Sequence, residues 1–91
     1  MRVRVRVIFS GRVQGVFFRA NAQKYALEHK VDGWARNTLN GDVEAMFEGE
    51  ETDVDMVIQK CQHEQPYARV DNIQVFHEIP RRDVSGFKIK Y

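Results

Sequence analysis

The first nine residues constrain this chain more than any other stretch. Val3, Val5, Val7 and Phe9 alternate with Arg2, Arg4, Arg6 and Ile8, and a period of two marks a strand with one face buried and the other toward water. Such a strand needs a sheet whose apolar side is covered by other elements. The arginine side reads as a solvated sheet face that also discourages edge pairing. With 91 residues the chain falls below the ~100 to 200 usual for a domain, so a single domain over residues 1–91 is expected. A chain of this size buries only about 60 to 65% of its unfolded surface. That leaves room for one layer of helices on one sheet.

The remaining patterns supply those layers. Two glycines interrupt the first strand between Gly11 and Gly15, and from Phe18 the apolar positions Phe18, Ala22, Tyr25 and Ala26 recur at helical spacing. Asp32 to Leu39 and Asp42 to Glu48 read as strands joined at Asn40-Gly41, which predicts a two-residue type I′ hairpin turn. Thr52 is the expected N-cap of a second helix, with Val54, Val57, Ile58 and Cys61 at i, i+3, i+4 and i+7. Pro66 marks its exit, Val70 to Ile79 reads as a strand with an irregularity near Asn72, and Phe87, Ile89 and Tyr91 alternate with Lys88 and Lys90. The order β-α-β-β-α-β predicts an α+β, ferredoxin-like sandwich: an antiparallel sheet with two helices on one face and a short extra C-terminal strand. That fold serves many functions, so function has to come from a site.

Charge and composition narrow the classes. Fourteen basic against 13 acidic residues give a net charge of +1, which offers no general field for nucleic acid or an anionic membrane. No apolar run exceeds three residues, far from a membrane span or a signal peptide. The one cysteine, Cys61, cannot form an intrachain disulfide and shares the apolar face of the second helix, so a core thiol in a reducing, cytoplasmic setting is expected. His29, His63 and His77 show no ligand spacing, and no metal site is expected. RNA-recognition domains share the element order, but their aromatic segment lies on the third strand. Here Phe17 and Phe18 open the first helix, and the third strand carries Glu44 and Glu48.

Gly11 to Arg19 reads GRVQGVFFR, a glycine-punctuated loop between a strand and a helix. Successive backbone N–H groups in such a loop, with the positive end of the helix, can form an anion site, and Arg19 in the first turn can aim its planar fork at the same point. The spacing matches neither a Walker A loop nor GxGxxG. On these grounds alone the loop reads equally as an anion cradle or as a plain turn.

GRVQGVFFR followed by GWARNTLNGDVE (Gly33 to Glu44) resembles the two signature segments of the acylphosphatase family. The resemblance runs from the first strand to Phe87 and Ile89, and it implies hydrolysis of carboxyl-phosphate anhydrides on a ferredoxin-like sandwich. Carried over, Arg19 is the arginine that binds the substrate phosphate and Asn37 is the asparagine that positions the attacking water. Gln14, Gly15, Val16, Phe17 and Phe18 match the cradle that supplies backbone amides. The resemblance implies a small acyl phosphate as substrate, with inorganic phosphate as product and inhibitor; no cofactor is expected, and the chain is expected to be a monomer. Gly11 to Arg19 contains no carboxylate to hold Mg²⁺ and Asn37 is neutral, so metal-independent catalysis is expected. Similar motifs also occur in non-hydrolytic accessory domains of larger proteins; the chain standing alone favours the enzyme. Ala20 replaces a common aromatic, His29-Lys30 a helix-ending Leu-Gly, and Gln65-Pro66 a Gly-Pro. These departures are expected to touch stability rather than the phosphate site.

Overall fold

The computed structural model describes all of residues 1–91. β1 (Arg2–Arg12) follows its alternation: Val5, Val7 and Phe9 are buried, while Arg2, Arg6 and Ile8 are half-buried on the other face. The apolar face shares one cluster with Phe18, Ala22 and Ala26 of α1 (Phe18–Glu28) and with Val54, Val57, Ile58 and Cys61 of α2 (Glu51–His63). Both helices therefore cover the same side of the sheet. Burial pushes the Cys61 thiol up to about 12, the behaviour of a core thiol rather than a nucleophile.

The sheet order is β4-β1-β3-β2-β5. β4 (Arg69–Glu78), β1, β3 (Val43–Glu50) and β2 (Asp32–Asn37) pair antiparallel, as the element order predicts. β5 (Phe87–Lys90) runs parallel to β2 and makes the sheet mixed. β1 lies inside the sheet, so its arginines do not guard an edge.

Nor are those arginines simply solvated. The fully buried Glu48 carboxylate accepts from Arg2 at 2.8 Å and Arg4 at 3.2 Å, and from the backbone N–H groups of Arg81 at 3.2 Å and Arg82 at 2.9 Å. Arg4 also reaches Glu78 and Asp83, and Arg6 reaches Glu44 and Glu78. Burial alone would raise the Glu48 pKa; the Arg81 N–H, Arg2, the Arg82 N–H and Arg4 outweigh it and hold it at about 2. The segment from Ile79 to Gly86 folds over this face and supplies the two amides, a long-range contact with no local signal.

Several local expectations change. β1 continues through Gly11 and Arg12, with a bulge against β4: Ser10 pairs with Asn72 and Gly11 with Val70, leaving Asp71 extra. This is the irregularity expected near Asn72. A Cβ on Gly11 would lie 2.3 Å from the Arg69 carbonyl oxygen, so this glycine serves close strand contact and not the loop. The hairpin forms, but Thr38 N–H donates to the Asp42 carbonyl at 2.9 Å and Gly41 N–H to Thr38 at 3.4 Å. Leu39, Asn40 and Gly41 thus make a three-residue loop in which only Gly41 has positive φ, instead of a type I′ turn. Thr52 is not a cap: β3 runs straight into α2, so Glu50 is both the last strand residue and the helix cap position.

Four contacts place the elements that matter for the site. Phe18 packs on Phe9 with ring centres 5.0 Å apart, fixing the start of α1 over β1. Phe87 stacks on Phe47 at 5.6 Å, fixing β5. Gln23 of α1 donates to the Phe87 carbonyl at 2.9 Å, and buried Gln65 donates to the Phe18 carbonyl at 3.3 Å.

Candidate active site

Between β1 and α1 the backbone turns left-handed twice, at Gly15 (φ 72°) and at Phe17 (φ 63°). Alternating hands around Val16 is the pattern that turns successive N–H groups toward one side, as in anion-binding nests. Phe17 lacks glycine's freedom, and its conformation costs about 1 to 2 kcal/mol. Its side chain is 72% exposed, so core burial does not account for the strain. The strain sits where α1 begins, and that helix start has neither a side-chain cap nor an acidic residue in its first turn. α2, by contrast, carries Glu51 and Asp53 there. The positive end of α1 is left open to an external anion.

That opening is a cavity of about 300 Å³. The loop contributes Val13, Gly15 and Phe17, and α1 contributes Phe18, Arg19 and Ala20. Asn37 enters from the end of β2, with Ile89 and Tyr91 from β5 and the residue after it. The parallel register Ala35 to Ile89 and Arg36 to Lys90 explains why Asn37 and Tyr91 meet at one end. Arg19 donates to the Lys90 carbonyl at 2.9 Å, and its guanidinium carbon lies 4.9 Å from the centre of the Tyr91 ring. It makes no ion pair. A half-buried guanidinium with one backbone bond retains most of its five donors.

Of the residues read from the sequence, Arg19, Asn37, Gly15, Phe17 and Phe18 come together here. Gln14 and Val16 are not among the cavity walls. The Gln14 amide donates to the Thr38 carbonyl at 2.9 Å and the Asp42 carbonyl at 2.8 Å, tying the loop to the hairpin beside Asn37. Val16 is buried and borders a separate groove with Arg12 and Tyr67. Ala20 lines the cavity, which corrects the expectation that its departure concerns stability alone. Ile89 and Tyr91 were legible only as one face of a strand whose partner the sequence does not name.

Among the walls Arg19 and Tyr91 are the titratable side chains; there is no carboxylate, imidazole or thiol. Nowhere do three His, Cys, Asp or Glu side chains gather as metal ligands. No helix is long and apolar enough to cross a membrane.

An α+β sandwich with a glycine-loop cavity at a helix start is the class that this geometry defines. The acylphosphatase family model matches residues 5–89. An acylphosphatase of Natronomonas pharaonis is 43% identical over 89 residues, spanning 98% of this chain and 96% of its own. One from Roseiflexus sp. is 46% identical over 86 residues, spanning 94% and 92%. The crystal structure of acylphosphatase from Bacillus subtilis superposes with a TM-score of 0.92 at 32% identity, covering 98% of this chain and 99% of that one. The chain belongs to the acylphosphatase family.

Proposed function

We propose that this chain hydrolyses the carboxyl-phosphate bond of small acyl phosphates to a carboxylate and inorganic phosphate. One observation carries the reading. A single cavity joins an unpaired, half-buried Arg19 and Asn37 to an uncapped helix start, and no acid or base of the carboxylate or imidazole kind is present. The chemistry fits that inventory. The leaving carboxylate resembles an Asp or Glu side chain with a pKa near ~4, so it departs at neutral pH without a proton donor. The second ionisation of a phosphate lies near ~6, so a substrate oxygen can take the proton of the attacking water.

The residues then have only to bind and orient. Arg19 and the loop amides hold the equatorial phosphate oxygens through charge-assisted bonds worth about 1.5 to 3 kcal/mol each. Asn37, with one donor group and one acceptor, holds water opposite the leaving oxygen. The water oxygen attacks phosphorus, the bond from phosphorus to the acyl oxygen breaks, and its electron pair leaves with the carboxylate. With no carboxylate among the wall side chains to hold Mg²⁺, Arg19 and the amides carry the charge in this reading.

The test is phosphate release from acetyl phosphate and benzoyl phosphate by protein dialysed metal-free and assayed in excess EDTA. Turnover at the same rate with and without EDTA is expected. Absence of turnover overturns the hydrolase reading, and turnover restored only by Mg²⁺ overturns the metal-free mechanism. An RNA-binding module is the competing reading. It needs stacking aromatics on the central strands, where the outward side chains are instead Arg4, Arg6, Glu44, Met46 and Glu48.

A further inference from the structure

We infer that Gln14 is a positioning residue for the attacking water: its side-chain amide locks the strand end that carries Asn37 to the phosphate loop. The inference rests on the hydrolase reading and on the role given there to Asn37. The regular structure leaves these two segments unjoined. β1 pairs with β3 only as far as Phe9 opposite Val43, and no backbone hydrogen bond outside the helices and strands ties the loop after Arg12 to the hairpin after Asn37. Packing does not join them at the hairpin tip, where Leu39, Asn40 and Gly41 are all exposed. The Asn37 side chain makes no hydrogen bond to the protein. Its placement therefore follows its backbone, the last rung of β2 against β3.

Gln14 closes that gap. Its amide nitrogen donates to the Thr38 carbonyl at 2.9 Å and to the Asp42 carbonyl at 2.8 Å, so both of its N–H groups are used. Thr38 directly follows Asn37, and Asp42 directly precedes Val43, the residue opposite Asn37. The two carbonyls belong to one braced corner: Thr38 N–H donates to the Asp42 carbonyl at 2.9 Å, and Asp42 N–H to the Thr38 hydroxyl at 3.1 Å. One amide thus grips both strands at their shared end, and Gly15, the next residue along the loop, lines the cavity. A misplacement of about 1 Å between reacting atoms can cost about a hundredfold in rate. A tie between the loop that holds the phosphate and the strand end that holds the water keeps that distance fixed. Gln14 is half-buried and lies outside the apolar core cluster, so the tie can be cut without emptying the core.

A double-mutant cycle separates positioning from a merely structural role. Gln14→Ala and the isosteric Gln14→Glu, which sets a carboxylate against two carbonyl oxygens, are assayed with benzoyl phosphate alone and combined with Asn37→Ala, with thermal melts run on each variant. In both single variants kcat is expected to fall by about tenfold to a hundredfold, while the inhibition constant of inorganic phosphate moves less than about threefold. In the Asn37→Ala background, where the residue to be positioned is gone, the same Gln14 substitutions should lower kcat by less than about threefold. A variant that melts lower yet keeps the wild-type kcat, a collapse of phosphate affinity, or the full loss of kcat repeated in the Asn37→Ala background overturns the inference. Either Gln14 substitution decides the matter if the other does not fold. If the wild type hydrolyses no acyl phosphate, the hydrolase reading fails and takes the inference with it. If the wild type turns over and the Gln14 variants keep its kcat, the inference alone fails.

Discussion

Arg4 and Arg19 lie on opposite sides of one sheet and are used in opposite ways. Arg4 is buried on the open face, where Glu48, Glu78 and Asp83 fill its donors at 2.9 to 3.2 Å. Arg19 stands on the helix side with one backbone carbonyl, one aromatic ring and no carboxylate. An arginine saturated by acids joins strands; one left with spare donors at a strained, uncapped helix start is available to an anion. Arg12, Arg81 and Arg82 also lack ion pairs, but they are exposed, and none of them lines the cavity that Asn37 enters. The difference separates what holds this fold together from what, in the proposed function, acts in it.

The largest effect should come from breaking the acting side. Arg19→Ala is expected to lower kcat/KM for acetyl phosphate by at least about a thousandfold, beyond the ~10² to 10³ loss seen for a single charge-stabilising donor. Arg19→Lys should fail nearly as badly, because a point ammonium cannot reproduce a bidentate fork. Both variants should melt within about 2 °C of the wild type, since no ion pair is lost. Retention of more than a tenth of the activity by Arg19→Ala would sink the assignment. Next in size, Asn37→Ala should cut kcat by at least about a hundredfold while the inhibition constant of inorganic phosphate moves less than about threefold. Collapse of phosphate affinity with kcat intact would show that Asn37 binds and does not orient.

Breaking the holding side should do the reverse. Glu48→Gln leaves two guanidinium groups facing a neutral amide and is expected to cost about 3 to 5 kcal/mol of stability in urea unfolding. The fraction that remains folded should keep its kcat/KM. The same carboxylate sets a pH dependence. Its folded pKa of about 2 lies below the ordinary 4.5, so its contribution is present above pH 4.5 and is lost as pH falls from there toward 2. About 3 kcal/mol should disappear over that window. Glu78, lowered chiefly by its hydrogen bond to Arg4, acts in the same direction. Glu48→Gln should flatten most of this loss, and an unchanged acid profile in that variant would place the cause elsewhere.

The smallest effect lies away from both arginines. Lys30 sits at φ 55° just past α1, with Val31 N–H donating to Ala26 at 2.8 Å and Lys30 N–H to Leu27 at 3.4 Å. That is a Schellman ending, in which glycine is the unstrained residue. Lys30→Gly should raise stability by about 1 kcal/mol and leave hydrolysis unaltered. A loss of stability would mean that the lysine side chain contributes more than its backbone strain costs.

Residues near one another in the chain declared themselves in the sequence. The period of β1 and the helical spacing of Phe18, Ala22 and Ala26 follow from short-range geometry. Two local signals lost to their surroundings. Thr52 could not cap a helix that starts directly from β3, and Asn40-Gly41 yielded its turn to the Thr38 and Asp42 backbone pairing. Contacts between distant segments were not legible: the parallel pairing of β5 with β2, the Arg81 and Arg82 amides on Glu48, and the arrival of Ile89 and Tyr91 beside Arg19. The polar half of the site was therefore readable from two motifs. Its apolar half depended on a strand pairing that no local pattern encodes.

The central claim is that Arg19, the loop amides and the start of α1 form the phosphate site. It is tested most directly by titrating inorganic phosphate into ¹⁵N-labelled protein and following amide shifts. Saturable shifts are predicted at Gly15 through Ala20 and at the Asn37 side-chain amide, and they should be lost in Arg19→Ala, with the Glu48 cluster unmoved. Shifts centred instead on the lysines of β5 or the arginines of the open face, or none at Gly15 through Ala20, would contradict the account.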